Sequence, residues 1–463
     1  MAKELAVTNP ATGEKLATLE LASPARLAEM VAKARSAQPA WESMPLYARG
    51  EILYKFADAL EQANEEIATL SAKDMAKPIV QARIENEDAA KLLRAAVERA
   101  KHMYGDVLAD NAPGFEKDLV FTRREALGVI ACIIPFNFPI ELTFQKIAPA
   151  LVMGNTVLIK APSANPLAVM HLEGVAKKAG FPEGVIQFMV CERADMVAQI
   201  VKNKDVDAIS MTGSTPAGQS LMRDGADTLK RLFFELGGND AMIIFDDADL
   251  DSAINEMTAS RLENNGQVCC ASKRFIVQTG IYGKLAEKLA ARLASSKVGN
   301  ALDEDAIVTA LVSESAAIEV EKQIAKTVEQ GAKLFHGGKR EGTRIHPAIL
   351  TNVTPEMDIA SDMEVFGPVF PLIPFDTEEE AIRIANNSCF GLSSGLMTSD
   401  MKRAFRVGSK LKAGAAVVNG TGGYRHLDQP FGGYKMSSLG REGISISLEE
   451  FSHIKVYVVK GAF

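Results

Sequence analysis

Short segments of almost entirely apolar residues alternate with amphipathic stretches along this chain. A short apolar segment is typical of a strand that is buried on both faces. The stretches between these segments place apolar residues every three or four positions, which predicts helices. Strands that alternate with helices favour a parallel α/β sheet covered on both faces. The predicted strands are 128–134, 155–160, 184–190, 207–210 and 241–245, and the predicted helices include 25–37, 48–73 and 166–180.

The second half of the chain continues this pattern, with predicted strands at 274–280 and 415–420 and a helix near 283–296. The closing segment, HIKVYVVKG (453–461), alternates like an exposed strand. Such a strand either pairs with another subunit or forms an ordinary edge within one domain. Because 463 residues exceed what one hydrophobic core usually fills, we expect two or more domains.

The charge balance is acidic, with 51 basic and 59 acidic residues and a net charge of −8. This balance disfavours nucleic acids and acidic membrane surfaces, both of which bind basic patches. The longest apolar run, 127–140, is too short to span a bilayer and contains two prolines. No apolar segment typical of a secretory signal is visible near the start. We therefore expect a cytoplasmic protein with neither a nucleic acid nor a membrane as its partner.

Two of the five cysteines are adjacent, in NNGQVCCASKR (264–274), and the others are scattered, so no disulfides are predicted. The six histidines are dispersed, and no metal site is expected. Most free cysteines are small buried hydrophobes. This polar, glycine-containing context, however, can place a thiol at an exposed turn near backbone N–H groups that favour its thiolate. One thiol is then a nucleophile and its neighbour a packing residue.

Two further segments contain polar residues in unusual surroundings. Glu235 in FFELGGND (233–240) follows two phenylalanines, whose apolar character raises a carboxyl pKa, and precedes two glycines that permit close backbone approach. The alternative is an acid that caps a turn. Asn137 in PFNFP (135–139) lies between two prolines that impose an irregular turn. Its amide can donate to an anion or, as the alternative, close an Asx turn.

The segment SMTGSTPAGQS (210–220) lies between a predicted strand and a predicted helix. This is the layout of a phosphate held at a helix N-terminus. The segment nearly matches a P-loop, but Gln219 stands where a P-loop has its lysine. A phosphoryl-transfer function therefore lacks its main phosphate contact.

These segments stand in the order of one large family. From TNPATGEK (8–15) to SLGREG (438–443), nearly the whole chain resembles the aldehyde dehydrogenase superfamily, most closely its succinate semialdehyde and lactaldehyde dehydrogenase subgroup. The resemblance implies an α/β fold with a Rossmann-type cofactor domain, an α/β catalytic domain and a small β arm for oligomerisation. The motifs that carry it are PFNFP, NTVLIKAPS, TGSTPAG, FELGG, GQVC, EVFGPV and PFGGYKMSSLGRE.

The resemblance also implies domain boundaries. The cofactor domain is expected at 1–106 and 127–236, and the catalytic domain at 237–438. The arm is expected at 107–126 and 439–463, where it would contribute strands to a neighbouring subunit in a homodimer or homotetramer.

The resemblance implies NAD(P)-dependent oxidation of a small-molecule aldehyde to a carboxylic acid. The family nucleophile is the cysteine two residues after Gly-Gln, here Cys269, and Cys270 is expected to be dispensable. Asn137 and the Cys269 backbone N–H would hold the oxyanion of a thiohemiacetal, and Glu235 would activate water to hydrolyse the thioester. Two more residues match positions that relay protons, with surface ion-pair residues as the alternative: Lys146 and Glu442.

The expected cofactor is NAD or NADP. Many NAD-specific relatives carry a glutamate where this chain has Ser163, so a 2′-phosphate has room beside Lys160. Lys160 is expected at the carboxyl end of a strand, where ligands of α/β sheets bind. The family positions that contact the adenine ribose, the pyrophosphate and the nicotinamide ribose match Lys160 and Ser163, then Gly213, Ser214 and Gly218, and then Glu364 and Phe366.

The substrate residues are predicted from the loop before PFGGYK, where Arg425 matches a residue of the substrate channel. An arginine in an otherwise apolar funnel suits a carboxylate, sulfonate or phosphate; an unconnected surface arginine is the alternative. Gln145 stands where many succinate semialdehyde enzymes carry an arginine, and Glu141 would repel an anion or bind a hydroxyl. The hypothesis is a short aldehyde with an anionic or hydroxylated tail, such as succinate semialdehyde or lactaldehyde.

Two other functions stay open at this point. Aldehyde dehydrogenases that pass the thioester to coenzyme A often lack the glutamate of FELGG, whereas Glu235 is present here. A non-catalytic relative that serves as a binding protein is disfavoured because Cys269, Glu235 and Asn137 all occur together.

Overall fold

The computed structural model of the protein describes residues 3–109 and 113–463. Its first half begins with a hairpin and a group of helices, and then alternates strands with helices. The strands are β1 (Glu4–Thr8), β2 (Lys15–Glu20), β3 (Val107–Leu108), β4 (Leu119–Ala126), β5 (Val129–Ile133), β6 (Thr156–Lys160), β7 (Ile186–Met189), β8 (Ala208–Thr212) and β9 (Arg231–Glu235). The helices are α1 (Pro24–Ser43), α2 (Leu46–Gln62), α3 (Asn64–Met75), α4 (Ile79–Ala100), α5 (Glu141–Val152), α6 (Leu167–Ala179), α7 (Arg193–Met196, continued by a π-helical turn at Val197–Val201) and α8 (Thr215–Gly225).

The second half repeats the alternation around another sheet. Its strands are β10 (Asp240–Ile244), β11 (Ser272–Gln278), β12 (Lys333–His336), β13 (Arg340–Glu341), β14 (Arg344–Ile345), β15 (Ala348–Thr351), β16 (Val369–Phe375), β17 (Ser394–Met397), β18 (Val417–Val418), β19 (Ser438–Leu439) and β20 (Ser452–Val459). Its helices are α9 (Leu250–Leu262), α10 (Tyr282–Ala294), α11 (Glu314–Glu329), α12 (Glu378–Asn386), α13 (Met401–Gly408) and α14 (Ile444–Glu450).

The first large sheet has six strands in the order β19-β9-β8-β5-β6-β7, and all of its pairs are parallel except β19 with β9. Both faces of this sheet are covered, because alternate side chains of β5 pack into two separate hydrophobic cores. Ile130 and Cys132 pack with the α2–α6 side, whereas Val129 and Ala131 pack with α1 and the π-helical turn. The parallel, doubly covered sheet predicted from the apolar segments is confirmed.

The second large sheet has seven strands in the order β12-β15-β16-β11-β10-β17-β18, and only β12 runs antiparallel to its neighbour. Its residues also alternate between two cores. Ile243 and Ile276 lie in one, and Met242 and Val277 lie in the other. The predicted repetition of the α/β pattern in the second half is therefore confirmed, and FELGG leads from β9 of the first sheet to β10 of the second.

A third, antiparallel sheet has the order β20-β4-β3, so the closing segment pairs with β4 of its own chain. Residues 110–112, within the arm predicted at 107–126, lie outside the described residues.

The single helix predicted at 48–73 is wrong. This stretch forms two helices, α2 and α3, because the backbone of Ala63 (φ −91°, ψ 4°) is not helical and separates them. Within the described ranges, no helix is long and apolar enough to cross a membrane, and no group of three His, Cys, Asp or Glu residues is placed to hold a metal.

Candidate active site

The turn that carries the predicted nucleophile Cys269, residues 264–269 and here named the nucleophile turn, lies two residues before β11. Three successive residues in it have left-handed backbone conformations: Asn264 (φ 44°), Asn265 (φ 58°) and Gly266 (φ 77°). Asparagine and glycine adopt this conformation more readily than other residues. A Cβ atom on Gly266 would lie 2.4 Å from the Gly367 carbonyl oxygen. The letters NNG are therefore explained by a tight turn packed against a neighbouring backbone.

Side-chain hydrogen bonds hold this turn in place. Asn265 Nδ2 donates to Thr309 Oγ1 at 2.7 Å, and Asn265 Oδ1 accepts the Thr309 N–H at 2.7 Å. Gln267 Oε1 accepts the Val312 N–H at 3.0 Å. The two side chains thereby satisfy the backbone N–H groups of Thr309 and Val312. The turn is consequently fixed to the segment 309–312.

The two thiols have different surroundings. Cys269 is partly exposed and Cys270 is buried. Arg425 Nη2 donates to Cys270 Sγ at 2.9 Å. A hydrogen bond from the Cys269 thiol, together with the charge of Arg425, lowers the pKa of Cys270 to about 5. The same contact with Cys270, together with burial, raises the pKa of Cys269. The guanidinium of Arg425 and the contact between the two thiols therefore favour the ionised form of Cys270.

Asn137 lies in the loop after β5, and its backbone is held from two sides. Its carbonyl oxygen accepts from Asn264 Nδ2 at 2.9 Å and from Lys77 Nζ at 3.3 Å. Lys77 forms a fully buried ion pair with Glu85, whose Oε1 accepts two backbone N–H groups at the start of α5 (2.7 and 3.0 Å). The Asn137 loop and the nucleophile turn are thus joined by a direct hydrogen bond.

Glu235 is the last residue of β9 and pairs in register with Thr212, the last residue of β8. It is only 4% exposed. Among the described residues no donor bonds to its carboxylate oxygen Oε2, so the alternative of a turn-capping acid is wrong. Burial, and next the negative charge of Glu442, raise the pKa of Glu235 well above its usual range. A buried carboxyl group whose pKa is raised in this way is a candidate for proton transfer.

Lys146 and Glu442 form a buried ion pair, so the alternative of surface ion-pair residues is wrong for both. Lys146 Nζ also donates to Thr212 Oγ1 at 2.6 Å. Thr212 was not predicted from the sequence. Its position at the end of a strand beside the one that carries Glu235 was the available signal, because carboxyl ends of neighbouring parallel strands lie at one edge.

Two cavities meet at Cys269. The first, of about 90 Å³, is lined by Cys269 with the predicted catalytic residues Glu235 and Glu442 and the predicted substrate residues Glu141, Gln145 and Arg425. The second, of about 370 Å³, is lined by Cys269 with Asn137, Gly213, Ser214, Glu364 and Phe366. Thr212 and Cys269 line both cavities. A thiol at this junction can react with a molecule in one cavity while another molecule occupies the second.

The first cavity combines apolar walls with polar side chains near Arg425. Glu141 and Gln145 lie one turn apart on α5 and both face it. Burial raises the pKa of Glu141 to about 7, and the charge of Arg425 opposes this shift. Most of the cavity surface is apolar, and sequence spacing did not reveal three further polar lining residues: Glu263, His426 and Gln429.

The remaining residues predicted to bind the cofactor lie along the carboxyl edge of the first sheet. Lys160 ends β6, and its Nζ donates to Ser163 Oγ at 3.3 Å. Ser214 is the N-cap of α8, and its Oγ accepts the Ala217 N–H at 3.4 Å. Gly218 packs against Leu236, where a Cβ would lie only 2.9 Å from a methyl group. Lys160, Ser163 and Gly218 do not line the second cavity, which covers only the end near Cys269.

The second cavity and this edge suit a dinucleotide. A helix N-terminus with Ser214 and Gly213 offers backbone N–H groups to a pyrophosphate. Gly237 and Gly238 let the Glu364 carboxylate approach closely: Gly238 N–H donates to Glu364 Oε1 at 2.9 Å, and a Cβ on Gly237 would lie 2.6 Å from Glu364 Oε2. The carboxylate is therefore held at the cavity wall, where it can accept hydroxyl groups of a ribose.

Comparisons with known proteins agree with this geometry. The model of the aldehyde dehydrogenase family matches residues 1–457. A probable succinate-semialdehyde dehydrogenase [NADP(+)] of Sinorhizobium fredii is 35% identical, over 99% of this chain and 93% of that protein. A 3-sulfolactaldehyde dehydrogenase of Pseudomonas putida is 36% identical, over 98% of this chain and 93% of that protein. The crystal structure of an aldehyde dehydrogenase from Brucella melitensis superposes with a TM-score of 0.96 at 37% identity, covering 99% of this chain and 94% of that one.

The match in sequence extends over nearly the whole chain, and the match in structure extends over both large sheets. The resemblance found in the motifs is thereby confirmed, as is the α/β fold that it implied. The chain belongs to the aldehyde dehydrogenase family and is an oxidoreductase.

Proposed function

We propose that this chain oxidises a short aldehyde to the carboxylic acid with NAD or NADP, through a thioester on Cys269. The observation that carries the proposal is the junction of the two cavities at the Cys269 thiol. The aldehyde occupies the cavity that holds Glu235, and the nicotinamide occupies the cavity that holds Asn137. The aldehyde carbon can then bond to the Cys269 sulfur while the nicotinamide lies on the other side of the same residue.

The first step is the attack of the Cys269 thiolate on the aldehyde carbon, which forms a C–S bond and an oxyanion. The Asn137 side chain and the Cys269 backbone N–H hold this oxyanion. Loss of one such donor typically lowers the rate by about 10²–10³. The bond from Asn264 to the Asn137 carbonyl supports this role, because it keeps the amide near the nucleophile turn.

The bound nicotinamide supplies the acceptor for the hydrogen that leaves the carbon with its electron pair. The thioester that remains on Cys269 is hydrolysed by water, from which Glu235 removes a proton. Its raised pKa and its buried, unbonded oxygen support a role in proton transfer. Lys146 and Glu442 pass this proton on, since Glu442 and Glu235 line the same cavity and Lys146 joins Glu442 to Thr212.

The binding residues for the dinucleotide are those predicted from the sequence. Lys160 and Ser163 contact the adenine ribose, and no carboxylate replaces Ser163 to repel a 2′-phosphate. Burial lowers the pKa of Lys160, and a phosphate beside it would favour its charged form. The relative from Sinorhizobium fredii is named for NADP(+), which supports NADP as one cofactor of this chain.

We assign the substrate to short aldehydes with an anionic or hydroxylated tail. Arg425 supplies one positive charge, while Glu141 and Gln145 supply acceptors and a donor for hydroxyl groups. The named substrates of the relatives, succinate semialdehyde and 3-sulfolactaldehyde, both bear an anionic group, and the second bears a hydroxyl as well.

The test is an aldehyde panel (propanal, lactaldehyde and succinate semialdehyde) with NAD and NADP, following the absorbance of the reduced cofactor. We expect turnover with at least one polar aldehyde, its loss in Cys269→Ala, and a lower kcat/KM for that aldehyde in Arg425→Ala. Intact-protein mass spectrometry should show an acyl adduct at Cys269, and added coenzyme A should yield no acyl-CoA. Equal kcat/KM for propanal and succinate semialdehyde, unchanged by Arg425→Ala, would refute the substrate assignment. Turnover by Cys269→Ala would refute the mechanism.

A further inference from the structure

Lys273 is a buried lysine that the reaction scheme above does not use. Its side chain is 1% exposed, in a strand, β11, that is buried except at its last residue. A buried ammonium group is unfavourable unless it is paired and hydrogen-bonded. Its position next to the nucleophile turn therefore calls for a specific set of partners.

A β-bulge directs this side chain. Along the parallel pair of β10 and β11, Asp240 faces Ser272 and Ala241 faces Arg274, so Lys273 is the extra residue with no partner in β10. A bulge interrupts the regular alternation of side chains and turns one of them in a new direction. Such bulges are over-represented beside active sites.

The partners of Lys273 come from both halves of the site. Its Nζ donates to the carbonyl oxygen of Cys269 and lies 3.4 Å from Glu364 Oε1. It also lies 5.3 Å from the centre of the Phe366 ring. Glu364 and Phe366 line the cavity assigned to the nicotinamide. One ammonium group thus contacts the nucleophile's backbone and the cofactor-binding carboxylate.

The backbone around the Cys269 carbonyl and the Glu364 carboxylate is tightly packed. A Cβ on Gly238 would lie 2.8 Å from the Cys269 carbonyl oxygen, so the FELGG glycine permits this backbone contact. Gly238 N–H also donates to Glu364 Oε1, the oxygen nearest to Lys273. A shift of the Glu364 carboxylate is therefore expected to move the Lys273 ammonium, and with it the carbonyl of Cys269.

We propose that Lys273 is a positioning residue that couples the nucleophile turn to the Glu364 carboxylate, so that cofactor binding and the orientation of Cys269 depend on one buried ammonium group. This inference rests on the proposed function, which assigns Cys269 to the aldehyde and Glu364 to the nicotinamide ribose. Besides Lys273, the ionisable groups that shift the pKa of Cys269 are Cys270 and Arg425.

The experiment compares three variants of the full chain: Lys273→Gln, Lys273→Arg and, as a matched control, Lys230→Gln. Lys230 is also a buried lysine whose Nζ binds backbone carbonyls (2.8 and 2.9 Å), but it lies at the start of β9, away from both cavities. The readouts are the Kd for NAD and NADP, kcat and KM, and the pH dependence of Cys269 alkylation by iodoacetamide, measured by peptide mass spectrometry.

We expect Lys273→Gln to weaken cofactor binding about tenfold, to lower kcat, and to move the alkylation of Cys269 to higher pH. In Lys273→Arg the charge remains, so the alkylation profile should return to that of the wild type. The planar guanidinium cannot repeat the geometry of the ammonium, so Kd and kcat should still change. Lys230→Gln should alter none of these readouts. The double variant Lys273→Gln/Glu364→Gln removes both partners of one contact. Its fold-loss of cofactor affinity should therefore be smaller than the product of the fold-losses in the two single variants.

The inference is overturned if Lys273→Gln behaves like Lys230→Gln in cofactor Kd and alkylation, or if the losses in the double variant multiply. Should Lys273→Gln fail to fold, Lys273→Arg decides, and unchanged Kd and kcat there overturn the inference. A wild-type protein that binds neither dinucleotide and oxidises no aldehyde refutes the proposed function instead. An active wild type with insensitive Lys273 variants refutes this inference alone.

Discussion

Cys269 and Cys270 are neighbours in the chain, but the fold gives them opposite electrostatic surroundings. Arg425 donates to Cys270, and the contact between the two thiols lowers the pKa of Cys270 and raises that of Cys269. Cys270 was predicted to be a packing neighbour. In the structure it also accepts a hydrogen bond from Arg425, the residue proposed to bind the substrate tail.

Cys270→Ala should make Cys269 more reactive in the absence of substrate. The contact with Cys270 is the largest cause of the raised pKa of Cys269, so its removal lowers that pKa and increases the thiolate fraction at pH 7. We expect iodoacetamide to label Cys269 about threefold faster or more than in the wild type, with aldehyde turnover retained. Slower labelling of Cys269 in this variant would contradict the assignment, and Cys269→Ala controls for labelling elsewhere.

Glu235→Gln should block hydrolysis of the thioester. A general base must be ionised, and the raised pKa of Glu235 keeps it protonated at low pH, so the wild-type hydrolysis rate should rise with pH through that pKa. The variant should lose this pH dependence and about 10²–10⁴ in steady-state rate. A stopped-flow burst of reduced cofactor, followed by slow turnover, would identify the accumulated acyl-enzyme.

The Glu235 carboxyl should also make the stability of the fold depend on pH: as the pH rises, stability should fall while the hydrolysis rate rises. An acid whose pKa is higher in the folded than in the unfolded state binds more protons when folded, so its contribution to stability falls as the pH rises above the unfolded value. Glu235→Gln should therefore raise Tm at pH 8 and leave it nearly unchanged at pH 4. An equal shift of Tm at both values would show that Glu235 does not titrate in this way.

At the scale of single elements, the nucleophile turn is the most constrained segment of the site. Its three left-handed residues, its contact with Gly367 and its bonds to Thr309 all serve to present Cys269 at the start of β11. The Asn137 loop is constrained in a comparable way by the buried pair of Lys77 and Glu85. Both are short irregular segments whose shape depends on distant residues.

Gly266→Ala should destabilise the fold and lower activity. Its φ of 77° and the 2.4 Å approach to the Gly367 carbonyl leave no room for a methyl group. We expect a loss of about 1–3 kcal/mol in the free energy of unfolding, measured by urea denaturation, and a fall in kcat. The matched control is Gly174→Ala within α6, where nothing lies within 4 Å of the added Cβ, and it should stabilise by about 0.4–1 kcal/mol. A Gly266→Ala protein as stable and active as Gly174→Ala would contradict this account.

At the scale of the whole molecule, the candidate active site lies between the two large sheets. The carboxyl ends of β8 and β9 bring Thr212 and Glu235, and the amino end of β11 brings Cys269. The third sheet stands apart from this site. In the described part of the chain, its strand β20 is an edge strand, and Ile454, Val456 and Val458 on it are 62%, 55% and 57% exposed.

An exposed, apolar edge strand favours association of chains. We therefore propose that the arm joins subunits into a homodimer or homotetramer, and we expect sedimentation of the wild type at the corresponding mass. Ile454→Lys/Val458→Lys should shift the protein toward monomer, whereas Phe405→Lys on α13, also exposed, should not. A wild type that sediments as a monomer at micromolar concentration would contradict the proposal.

Local residue patterns were enough to predict the two layered α/β sheets, since apolar strands and amphipathic helices follow from spacing along the chain. Motif order likewise identified the family and pointed to Cys269, Glu235 and Asn137. The further polar residues of the cavity that holds Glu235 and the partners of Thr212, Cys270 and Lys273 depended on contacts between residues far apart in sequence. Burial, bulges and hydrogen bonds of that kind arise only when separate elements pack, so no local pattern encodes them.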